Sequence, residues 1–157
     1  HSKPTGYYNL TKTAESLKIK RLWLTNLYGK LTLTKLNSLY NICNFYVQPS
    51  YSEGFGLPIV EAFKFNKPTI AVDAPPFNEI IKQNRNGISV PSSGFAWYNY
   101  EDMVLFKMHR YKVEDLASAI VNLLSDQRLI AEMQMTIQRE KHDWDIHRLY
   151  PKLLSFM

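Results

Sequence analysis

Residues 46–61 read Tyr-Val-Gln-Pro-Ser-Tyr-Ser-Glu-Gly-Phe-Gly-Leu-Pro-Ile-Val-Glu, and they limit the fold more tightly than any other stretch. A short apolar run over residues 44–48 reads as a strand, closed by Pro49 and Ser50. A loop with Gly54 and Gly56 follows. Pro58 then suits the first turn of a helix over residues 58–65, where its missing N–H costs nothing. Residues 68–72, Pro-Thr-Ile-Ala-Val, are nearly all apolar, the pattern of a strand buried on both faces. Strand, glycine loop, helix and buried strand in succession predict an α/β layered domain with a parallel sheet.

The flanking sequence extends this pattern. Residues 10–17 read as a short helix, 21–25 as a strand, and 32–41 as a helix with Leu33, Leu36, Leu39 and Tyr40 on one face. Residues 78–83 make a helical turn or two, and 87–90 a last short strand. Residues 92–110 show no clean period but carry Phe95, Trp97, Tyr98, Tyr100 and Phe106, and read as an inserted aromatic loop. Helices are expected over 113–124, with Leu116, Ile120, Val121 and Leu124 as its apolar face, over 127–141 behind an Asp126 N-cap, and over 144–155. The whole is read as a single domain.

The glycine loop also carries chemistry. The amides of Gly56 and Leu57 lie at the positive end of a helix, a ready place for phosphate. Glycines let a ligand approach the backbone closely. Glu61 lies about one turn into the helix, where its carboxylate can accept hydrogen bonds from a ribose diol. Glu53 precedes the glycines, on the other side of the phosphates. The spacing suits two carboxylates bracketing a nucleoside diphosphate sugar. The plainer alternative is a loop that merely turns the chain.

The run Pro49-Ser-Tyr-Ser-Glu-Gly-Phe-Gly-Leu-Pro-Ile-Val-Glu-Ala62 closely resembles the signature of glycosyltransferase family 4, the group 1 transferases, whose mark is two glutamates separated by seven residues. The resemblance continues through residues 67–73, through Asn78-Glu79-Ile80-Ile81, Asn86-Gly87 and Val90-Pro91, and through residues 116–124. Upstream, Tyr28-Gly29-Lys30-Leu31 and Leu39-Tyr40 resemble another of the family's segments. The resemblance implies the C-terminal, donor-binding half of a GT-B fold: a Rossmann-like parallel sheet flanked by helices. It implies that Glu61 binds the donor ribose and that Glu53 is the catalytic-site carboxylate at the transferred sugar. It further implies that the backbone of Gly54, Phe55, Gly56, Leu57 and Pro58 faces sugar and diphosphate, and that the backbone near Gly29 and Lys30 faces the base. Such enzymes retain anomeric configuration, need no metal or other cofactor, and stabilise the leaving diphosphate electrostatically.

The sequence departs from that pattern in places. The Arg and Lys that the family brings to the diphosphate have no counterpart here, Lys3 being the nearest residue. Residues 21–25 and 44–48 would be strands 3 and 4 of a 3-2-1-4-5-6 sheet, so the first two strands are missing and the sheet would be split. A fragment of a longer chain, strands lent by another chain, or strand 3 moving beside strand 4 would each resolve this; the first is favoured. Ala74-Pro75-Pro76-Phe77 stands where the family often has Gly-Gly, which stiffens the turn.

Charge and composition narrow the function. The net charge of +5 suits phosphates, anionic lipid or nucleic acid. With no RNP-like motif, zinc spacing or basic helix, nucleic acid is set aside. His1, His109, His142 and His147 show no metal-ligand spacing. Cys43, the only cysteine, sits among apolar neighbours and reads as a buried core thiol in a reducing, cytoplasmic protein. The partners expected are a nucleotide sugar, an unidentified glycosyl acceptor and an N-terminal acceptor domain or second chain, with residues 92–110 open to an acceptor or a membrane surface. The competing function is a non-catalytic sugar-nucleotide-binding subunit that works through a partner chain.

Overall fold

The computed structural model describes residues 9–20, 31–100 and 102–140. The expected strand over 21–25, the expected helix over 144–155, and Lys3, Gly29 and Lys30 lie outside the described residues. The chain divides into two compact units, His1–Leu39 and Tyr40–Met157.

In the first unit, α1 (Leu10–Ser16) is started by Asn9, whose side chain accepts the Lys12 amide at 3.0 Å. Helix α2 (Leu33–Ile42) ends in the second unit, and of its anticipated apolar face only Tyr40 is buried. Leu33 is 72% exposed.

The second unit is built on three parallel strands in the order β1 (Tyr46–Gln48), β2 (Thr69–Val72), β3 (Gly87–Val90). Tyr46 lies opposite Thr69, and Thr69 opposite Gly87. Every residue of β2 is buried, as its apolar sequence requires of a central strand covered on both faces. On one side Ile59 and Phe63 of α3 (Leu57–Lys64) join Phe77 and Ile80 of α4 (Phe77–Ile80) and Ala71. On the other, Ala119 and Leu123 of α5 (Val113–Ser125) join Ile130 and Met133 of α6 (Gln127–Glu140), with Ile70 and Val90. Burying each of the Ile, Leu, Val, Met and Phe side chains among these contributes about 1.5–3 kcal/mol. Asp126 caps α6 by accepting the Leu129 amide at 2.9 Å.

Several expectations are corrected. The core-facing stripe of α5 is Leu116, Ala119, Ile120 and Leu123, spaced i, i+3, i+4, i+7, with Ala119 and Leu123 buried and Leu116 and Ile120 half-buried, while Val121 and Leu124 face solvent. Cys43 is exposed: it directly follows α2, whose last residue, Ile42, is exposed too. The segment read as an aperiodic loop is an antiparallel hairpin, β4 (Ser92–Tyr100) and β5 (Val104–Tyr111). At its turn Asp102 adopts φ 55° and accepts a hydrogen bond from Asn99 Nδ2 at 2.6 Å.

Candidate active site

Alternation along β1 puts Tyr46 and Gln48 on one side of the strand. Gln48 is buried and therefore needs partners for both ends of its amide. Its oxygen accepts the Tyr46 hydroxyl, and its Nε2 donates to Ser50 Oγ at 2.6 Å and to Glu53 Oε1 at 2.9 Å. Ser50 Oγ donates to the same Glu53 oxygen at 2.8 Å. Glu53 is thus aimed by two donors on one oxygen, while Oε2 takes no donor among the described residues. The strand end, through Gln48, fixes the carboxylate that follows it in the loop.

Glu61 is held from another direction. Tyr40, on the last turn of α2, donates its hydroxyl to Glu61 Oε2 at 3.0 Å and lies 3.3 Å from the Pro58 carbonyl. The Tyr40 ring stacks on Phe65 at 5.5 Å and tilts against Tyr46 at 6.0 Å. Burial, and then the hydrogen bond and charge of Glu61, push the Tyr40 hydroxyl above its ordinary pKa. Burial, and then the charges of Glu53 and Glu61, push Tyr46 up to about 12. Both tyrosines therefore remain neutral donors at physiological pH, and Tyr46 senses both carboxylates. Both glutamates are exposed, and neither pairs with a cation among the described residues.

Between them runs the glycine loop. Gly56 caps α3 with φ 89° and ψ 40°, a left-handed conformation, and Pro58 falls in the first turn. The Ile59 amide is taken by the Gly56 carbonyl at 2.9 Å. Phe55 and Leu57 are exposed, and Pro58 is half-buried. A Cβ on Gly56 would touch Ile59 and the Phe77 ring at 3.5 Å, whereas one on Gly54 would meet nothing within 4 Å. Gly56→Ala is therefore expected to lose about 1–2 kcal/mol from the left-handed backbone alone. Gly54→Ala is expected to stay within about 0.5 kcal/mol. Urea unfolding of the two variants checks the pair.

A cleft of about 420 Å³ opens beside the loop, lined by Ser52, Glu53, Gly54, Tyr98, Phe106 and Met108. The site thus brings Glu53, Gly54, Gly56 and Glu61 around one helix start. Tyr40, Tyr46, Gln48 and Ser50 were not foreseen as its supports. The signal available was a lone Gln in an apolar strand directly before the glycine loop. Among the described residues no group of three or more His, Cys, Asp or Glu is placed to hold a metal ion, and no helix is long and apolar enough to cross a membrane.

The family model described as "Glycosyl transferases group 1" matches residues 5–102. The chain belongs to the group 1 glycosyl transferases. Among its relatives, uncharacterized glycosyltransferase 335 of Sulfolobus islandicus rod-shaped virus 1 is 29% identical over 116 residues, which is 74% of this chain and 34% of that protein. The serotype-specific mannosyltransferase WbdA of Escherichia coli is 29% identical over 143 residues, 90% of this chain and 15% of that protein. The chain therefore spans about a third or less of the length of these relatives. The solved structure of Anabaena Alr3699/HepE in complex with UDP superposes with a TM-score of 0.65 at 18% identity, covering 94% of this chain and 36% of that one. This group 1 transferase accordingly has the Rossmann-like α/β architecture of one half of a GT-B fold, with its three-stranded parallel sheet flanked by helices.

Proposed function

We propose that this chain is the C-terminal, donor-binding part of a retaining family 4 transferase, which takes a nucleoside diphosphate sugar and delivers the sugar to an acceptor. One observation carries the reading. Glu53 and Glu61 bracket the glycine loop at the start of α3, each is aimed by buried hydrogen-bond donors, and neither is paired with a cation among the described residues. Structural surface glutamates do not need such scaffolding; ligand-binding ones do.

In this reading Glu61 accepts the ribose hydroxyls, the Gly56 and Leu57 amides and the α3 dipole face the diphosphate, and Glu53 holds the transferred sugar near its anomeric carbon. Gly54, Phe55 and Pro58 complete the loop around the ligand, and Gly29 and Lys30 serve the base. Negative charge that develops on the leaving diphosphate is stabilised by the helix amides, without a metal. UDP is the first nucleotide to test, because HepE was solved with UDP and a 31%-identical relative, the Streptococcus agalactiae GtfA subunit, is named for UDP-N-acetylglucosamine.

Calorimetric titration with UDP, GDP and ADP tests the reading. Glu61→Ala is expected to weaken binding of the accepted nucleotide about tenfold or more, since hydrogen bonds to a charged group contribute roughly 1.5–3 kcal/mol. Unchanged affinity would remove Glu61 from the ribose, and no binding of any of the three by the parent chain would end the reading.

A further inference from the structure

We propose that the β4–β5 hairpin adds an aromatic wall to the site, against which the apolar face of a pyranose ring stacks while its hydroxyls reach Glu53. The inference deepens the donor-site reading and rests on it.

Pairing places the wall. Ala96 lies opposite Met108 and Tyr98 opposite Phe106, and directly opposed residues of an antiparallel pair share a face. Tyr98, Phe106 and Met108 from that face line the cleft, and Ser52, Glu53 and Gly54 line its other side. The two walls are fastened together. The His109 amide donates to the Tyr51 carbonyl at 2.8 Å, the Tyr111 hydroxyl donates to the Pro49 carbonyl at 2.8 Å, and the Tyr51 and Tyr111 rings meet at 5.3 Å. The loop that carries Glu53 is therefore tied to β5 at Pro49 and Tyr51, on either side of Ser50, which donates to Glu53.

The chemistry of the walls selects the ligand. An aromatic pair facing a carboxylate suits a molecule with C–H on its face and hydroxyls on its rim. A phosphate in the cleft would meet the Glu53 charge, and a purely apolar group would leave Glu53 Oε2 unanswered. The cleft of about 420 Å³ is in the range of about 300–1,000 Å³ usual for small-molecule sites. Tyr98 and Phe106 are 47% and 43% exposed, so their rings have open area to offer, and truncating them empties no core. The ring that stacks is either the transferred sugar of the donor or a sugar of the acceptor.

The test compares the parent chain with the Tyr98→Ala, Phe106→Ala double variant and with Tyr98→Phe, whose ring is kept. Calorimetry uses paired probes, UDP with UDP-N-acetylglucosamine and GDP with GDP-mannose, and methyl α-mannopyranoside in the presence of the bound nucleotide. The double variant is expected to bind the bare nucleotide within twofold of the parent and to lose roughly five- to tenfold of its affinity for the sugar-bearing probe, with Tyr98→Phe unaffected. Loss confined to the nucleotide sugars assigns the wall to the donor; loss confined to the free glycoside assigns it to the acceptor. Equal binding of every probe by the parent and the double variant overturns the proposal, as does a parent that binds no sugar-bearing probe better than the bare nucleotide and no free glycoside. A parent that binds neither nucleotide ends the donor-site reading. The glycoside, titrated without nucleotide, then decides the wall: lost binding in the double variant upholds it, and unchanged or absent binding ends it. Far-UV circular dichroism that matches the parent certifies the fold of each variant.

Discussion

Phe77→Ala is expected to remove about 4 kcal/mol of stability, because truncating a fully buried Phe loses its transfer energy and leaves a cavity. Phe77 is 1% exposed and belongs to the core cluster that also holds Ile59, Phe63, Ala71, Ile80 and Ile137, so a cavity there weakens a cluster shared by α3, α6 and β2. Packing at this density cannot close the gap by small shifts. The effect should reach the site as well. The Phe77 ring edge lies 3.5 Å from where a Gly56 Cβ would be, so the ring is the floor under the left-handed turn that starts α3. Urea unfolding should show the loss, and nucleotide affinity measured well below the new midpoint should fall too. A loss under about 1.5 kcal/mol would mean that the ring is not the plug it looks to be. The sequence marks this segment for two prolines that stiffen a turn; the residue after them, Phe77, is the one buried in the core.

What was legible in the sequence follows from how local each cause is. The three parallel strands and α3 were readable because an all-apolar β2, a glycine loop and an N-terminal Pro58 each act within a few residues. The hairpin was not. On β4, Phe95 and Trp97 fall on one face and Tyr98 on the other, and β5 alternates Leu105 and Lys107 with Phe106 and Met108. Both faces carry large apolar groups, so no period-2 contrast survives to mark a strand. Cys43 misled for a related reason: its apolar neighbour in sequence, Ile42, lies on the surface in space. The supports of the two glutamates were hidden by distance along the chain. Tyr40 meets Glu61 across 21 positions, and nothing local to Tyr40 distinguishes it from a core aromatic.

Gly87→Ala is expected to lose about 3 kcal/mol, at the upper end for a forced overpacking, and the reason is space rather than backbone freedom. A Cβ at this position would lie 2.2 Å from the Thr69 carbonyl oxygen. That oxygen belongs to the paired strand, opposite Gly87 in the β2–β3 register, so it cannot swing aside as a side-chain tip would. The turn before Gly87 is fixed as well. Asn86 is buried; its Oδ1 accepts the Lys82 amide at 2.8 Å, its Nδ2 donates to the Ile80 carbonyl at 3.1 Å, and its carbonyl accepts the Thr69 amide at 3.3 Å. Relief must therefore come from parting β3 from β2, the strand that both core clusters use. Thermal and urea unfolding of Gly87→Ala measure this directly, and stability within about 0.5 kcal/mol of the parent would show that the strands separate more easily than their register suggests. The glycines of this chain thus answer to different demands. Gly56 turns the chain left-handed into α3, Gly54 leaves open the mouth of a cleft, and Gly87 lets two strands close on each other. The Asn86-Gly87 pair that carried part of the family resemblance owes its glycine to the last of these.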